Sequence, residues 1–151
     1  MTAPDWPQVV ADMMLVVETT KHAFVRTRRS KAKLAPDESR RVLALNREIE
    51  KYRHDARKAL AQAAAGDGAV EWRPLVLNLL RAHSAVWERL RVEHDYGIPQ
   101  HIETGLVVEG RDARADQFIL QAVEALAATN ERFECVSWNG REVMRSSVAA
   151  K

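Results

Sequence analysis

The chain has 151 residues, 46% hydrophobic and 29% charged, with six glycines and five prolines; that is the make-up of one folded domain with a real core, and excludes a disordered tract. The single cysteine, Cys135, excludes an internal disulfide and a four-cysteine zinc site and favours a reducing, intracellular setting. The net charge is only +2, yet residues 19–60 hold thirteen Lys/Arg against five Asp/Glu, a balance of +8, while the rest carries ten against sixteen; an asymmetry of that size concerns partners, not fold.

The N-terminal MTAPDWPQ lacks the basic n-region of a signal peptide, and the apolar run VVADMMLVV is interrupted by Asp12. It is also far shorter than a membrane span, so a cytoplasmic protein is expected. Asp5 ahead of Trp6-Pro7 is a helix start: a carboxylate caps free N–H groups and proline suits the first turn. Trp6, Val9, Val10, Met13, Val16, Val17, Thr20 and Phe24 then recur at helical spacing. They predict a first helix over 5–33 whose apolar stripe fades after Phe24. Its last third is KHAFVRTRRSKAK, with six basic side chains, one histidine and no acid.

LAPDES breaks the chain and restarts it, with Pro36 in a first turn and Asp37 and Glu38 at the positive helix end. From there Val42, Leu45, Ile49, Tyr52, Ala56, Ala59 and Ala63 alternate spacings of three and four. That heptad seam predicts a helix over 37–65, closed by Gly66-Asp67-Gly68, and its alanines let a partner helix approach closely. A third helix, 72–95, carries Leu75, Val76, Leu79, Leu80, His83, Val86, Trp87 and Leu90. Residues 97–112, GIPQHIETGLVVEGRD, are the least regular part and read as a helical turn and a loop. A fourth helix, 113–133, places Ile119, Val123, Leu126 and Asn130 on one face. In the tail, FECVSWNGREVM, Asn139-Gly140 is either a hairpin turn or a glycine helix stop. The helix stop is the preferred reading, because a lone two-stranded hairpin is marginal. The expected fold is therefore all-α: one domain, an antiparallel bundle of about four helices whose two long N-terminal helices form a hairpin.

The strongest functional signal is a basic stripe across that hairpin. Its members are Arg26, Arg28, Arg29, Lys31 and Lys33, continued by Arg40, Arg41, Arg47, Lys51, Arg53, Arg57 and Lys58, with His22 and His54 on the same face. Arg40, Arg47 and Lys51, or Arg57 and Lys58, lie off the heptad seam and are free to face outward. Such a surface suits the phosphate backbone of nucleic acid, and arginine suits bidentate phosphate contacts. No base-reading motif accompanies it, so the contact would be sequence-tolerant. A solvated surface, or docking onto the acidic half of a neighbouring copy, is the other reading of the same charges.

The segment Arg89-Leu-Arg-Val-Glu-His94-Asp-Tyr96 resembles the RxxxxHxY motif of HEPN-family ribonucleases and toxins, themselves small helical bundles. The resemblance implies that Arg89 and His94 act at a scissile phosphate, with Tyr96 as a supporting site; histidine moves protons near neutral pH and arginine stabilises phosphorane charge. Glu93, His94, Asp95, His101 and Glu103 concentrate metal-ligand types around a Gly/Pro turn, but neither HExxH nor paired ExxH spacing occurs, so no metal or other cofactor is expected. His83, among leucines, reads as a satisfied core residue. Trp6, Trp72 and Trp87 read as core, and Trp138 as a candidate interface anchor.

In architecture and charge distribution the chain resembles the small subunits of CRISPR effector complexes, which line nucleic-acid strands with basic helices. That resemblance implies a non-catalytic, backbone-binding subunit whose partners are nucleic acid and other protein subunits or copies of itself, with no membrane partner. Two alternatives stay open: a structural assembly protein, such as a phage virion component, and a HEPN-like nuclease.

Overall fold

The computed structural model describes residues 3–23, 33–94, 106–108, 110–128, 133–138 and 141–146. Four helices, α1 (Trp6–Ala23), α2 (Pro36–Ala65), α3 (Trp72–His94) and α4 (Ala113–Ala127), form an antiparallel helical bundle. Three short strands, β1 (Leu106–Val107), β2 (Phe133–Trp138) and β3 (Arg141–Ser146), add a small antiparallel sheet in the order β1-β3-β2.

Local chemistry sets the helix ends. Asp5 Oδ1 accepts from the Gln8 N–H at 3.3 Å, capping α1 as its position suggests. Pro36 opens α2, and the Glu38 carboxylate reaches back to accept from the Ala35 N–H at 2.9 Å. At the other end Gly66 takes φ 73° and donates to the Ala63 carbonyl, while Asp67 donates to that of Gln62. A left-handed residue there favours glycine, which carries no Cβ.

The heptad reading of α2 holds along its length. Leu45, Ile49, Ala56 and Ala59 are buried, and Val42, Tyr52 and Ala63 are half-buried beside them. The helix that meets this seam most extensively is α3, which is buried at nearly every position from Leu79 to Leu90 because it packs against α1, α2, α4 and β1. One end of the core gathers Val9, Val10, Met13, Leu79, Leu80, Ile119 and Leu126; the other gathers Val17, Leu45, Ile49, Val86, Trp87 and Leu90. Each such side chain contributes about 1.5–3 kcal/mol on full burial. Trp87 is fully inside, and Trp6 and Trp72 pack on the core's edge, as the core reading of the three anticipates.

Four expectations are corrected. Lys33, placed at the end of the first helix, instead lies in a bend before α2; residues 24–32 fall outside the described residues. The fourth helix stops at Ala127, not at 133, and Phe133 opens a strand. The tail is a hairpin, with Phe133 opposite Ser146 and Trp138 opposite Arg141, and not a helix stop. The hairpin escapes the marginality of two strands because β1, from the segment expected to be a loop, adds a third: Leu106 and Val107 pair with Met144 and Val143.

Candidate nucleic-acid interface

A 30-residue helix with one seam buried must present its opposite face to solvent. At about 100° per residue, Arg40, Arg47, Lys51, His54 and Lys58 fall within roughly 40° of one line, opposite Ile49 and Ala56. All five are exposed. The line runs about 27 Å along the axis at 1.5 Å per residue. Exposed Ala44 and Ala65 share the line, and no carboxylate stands on it. Asp37, Glu48 and Asp55 sit together on one flank. Glu50 sits on the other, within 3.4 Å of Lys21 and 2.7 Å of Arg53. Burial alone would raise the Glu50 carboxyl, but Arg53 and Lys21 bring it below the ordinary carboxylate value.

The structure divides the twelve basic residues singled out in the sequence into distinct groups. Arg40, Arg47, Lys51 and Lys58 form the ridge with His54, Arg57 is exposed beside it, and Lys33 is exposed ahead of α2. Arg53 is turned inward, only 16% exposed, with one guanidinium nitrogen 2.6 Å from Glu18 of α1 and another on Glu50. Arg41 lies 3.8 Å from Glu88, a buried carboxylate that Arg91 also grips through two nitrogens. Arg26, Arg28, Arg29 and Lys31 lie outside the described residues. Heptad phase alone separates the ridge from the seam. The internal duties of Arg41 and Arg53 are invisible to it, because Glu88 and Glu18 arrive from other helices.

Arg89, the first residue of the RxxxxHxY segment, sits where α3 meets α2. Arg89 is largely buried; it donates to Asn46 Oδ1 at 2.8 Å and its Nε lies 2.9 Å from Glu93 Oε1. Its charge is thus compensated by the carboxylate beside the histidine. His94 is the last, half-buried residue of α3, and Tyr96 lies outside the described residues. Among the described residues no group of three or more His, Cys, Asp or Glu is placed to hold a metal ion; Asp95, His101 and Glu103 are outside them.

His83 is fully buried and satisfied at both ring nitrogens. Nδ1 lies 3.2 Å from the Val107 carbonyl oxygen, and Nε2 accepts from the Trp87 indole N–H at 3.3 Å. That arrangement fits the neutral ring with its proton on Nδ1. Ser84 completes the joint: its Oγ accepts from the Val107 N–H at 2.8 Å and donates to the Leu80 carbonyl. Neighbouring side chains of α3 therefore hold the outer edge of β1, a structural role that the leucine context of His83 anticipates.

Among the described residues no helix is long and apolar enough to cross a membrane. Comparisons with protein-family models, with curated proteins and with solved structures gave no significant match.

Proposed function

We propose that this chain is a non-catalytic helical module that binds the phosphate backbone of nucleic acid through the outer ridge of α2, as a subunit of a larger nucleoprotein assembly. The observation that carries this reading is the ridge itself: four fixed cations and a histidine in line over about 27 Å, free of carboxylates, on one helix. The side chains need little rearrangement to meet a polyanion, and every phosphate they neutralise releases counterions.

Replacing Arg47 and Lys51 together by glutamate tests it. Both side chains are exposed, so the melting temperature should stay close to that of the parent. Losing two phosphate contacts should lower affinity for a nucleic-acid probe at least roughly fiftyfold at 0.1 M salt. No binding by the parent chain at low salt, or equal binding by the variant, sinks the proposal.

A further inference from the structure

The ridge of α2 discriminates between polyanions, and, resting on the backbone-binding reading above, we infer that its ligand is a double-helical nucleic acid, bound without regard to sequence, in preference to a single strand. Single strands are held by a groove that tracks the backbone and by aromatic side chains on which successive bases stack, each stack contributing about 1–3 kcal/mol. Among the described residues the ridge offers neither. It is the convex face of one helix, its members are Arg40, Ala44, Arg47, Lys51, His54 and Lys58, and the nearest aromatic of α2, Tyr52, is half-buried in the seam. What remains is charge in a straight line. A surface that binds by charge alone favours the polyanion with the denser counterion atmosphere, and a duplex releases about 0.9 counterion per phosphate contacted, against about 0.7 for a single strand.

The flanks argue against base reading. Asp37, Glu48 and Asp55 line one side of the ridge, so sinking α2 into a groove would drive these carboxylates against a wall of phosphates. The contact is therefore with the phosphates along the ridge line, and carries no sequence information.

The test uses the full chain and two fluorescent probes of equal length and sequence, one single-stranded and one duplex, titrated across a range of salt concentrations. Four contacts give a slope of log affinity on log salt of about −3.6 for the duplex and about −2.8 for the single strand. With equal affinity at 1 M salt, those slopes make the duplex about sixfold tighter at 0.1 M. A duplex of scrambled sequence should compete equally well. A single strand that binds as tightly as the duplex, or a scrambled duplex that competes poorly, overturns this inference and leaves backbone binding standing. If neither probe binds at low salt, the backbone-binding reading itself falls, and this preference with it.

Discussion

His83 is neutral because of where it sits. Burial without a counter-charge disfavours the imidazolium and lowers its pKa to about 4; the hydrogen bond to the Val107 carbonyl opposes this only in part. In the unfolded chain the same ring titrates near its ordinary value of 6.5. Between those two values the unfolded state binds more protons than the folded one. The stability His83 allows is therefore complete above about pH 6.5 and lost as pH falls towards 4, by roughly 3 kcal/mol across that window. Urea unfolding at pH 7.5 and pH 4.5 should show this loss, and His83→Gln, though less stable at pH 7.5, should lose much less on acidification. An equal acid loss in both proteins would assign it to other groups. Core residence of His83 was legible from its leucine neighbours. Its partner Val107 was not, because it lies 24 residues away in a segment with no regular period.

At the scale of elements, the helices were legible because each carries a 3.6-residue apolar period, and α2 most of all. The fourth helix was read too long because periodicity says where a helix can run, not where the chain leaves it. The hairpin signal at Asn139-Gly140 was present in the sequence, but the strand that makes the hairpin worth forming comes from about 27 residues before β2 and was not. The join between β1 and α4 depends on one small residue. Gly110 donates its N–H to Asp116 Oδ1 at 2.5 Å while Asp112 Oδ1 accepts from the Ala115 N–H, so the chain lies against the first turn of α4. A Cβ at Gly110 would stand 2.8 Å from the Ala115 carbonyl carbon and 2.9 Å from the Asp116 nitrogen, both backbone atoms that cannot swing aside. Gly110→Ala should thus destabilise the fold by about 1–3 kcal/mol. Gly66→Ala, at a left-handed position with open space, should lose about 1 kcal/mol from backbone strain alone. Thermal melts of the two variants decide the matter; a Gly110→Ala protein as stable as the parent would show that the α4 start yields to a methyl group.

For the molecule as a whole, the described part of the basic surplus of residues 19–60 divides into side chains paired inside the fold and side chains exposed on the ridge. Arg53 belongs to the fold: it ties α1 to α2 through Glu18 and Glu50, and Lys21 closes the same network on Glu50. Lys51, two residues earlier, is exposed on the ridge. Removing each side chain should therefore move different observables. Arg53→Ala leaves two carboxylates without their main counter-charge and should cost about 1–2 kcal/mol of stability, since the pairs are only partly shielded from solvent. Its effect on nucleic-acid affinity, measured on the folded protein, should be small, because the guanidinium it removes is already occupied. Lys51→Ala should leave the unfolding midpoint close to the parent's while lowering affinity about eightfold at 0.1 M salt and reducing the salt slope by about one. Unfolding midpoints and salt titrations of the two variants, taken together, separate the cases. If Arg53→Ala weakens binding as much as Lys51→Ala does, the internal network opens when the polyanion arrives, and the division between structural and binding charge along α2 is wrong.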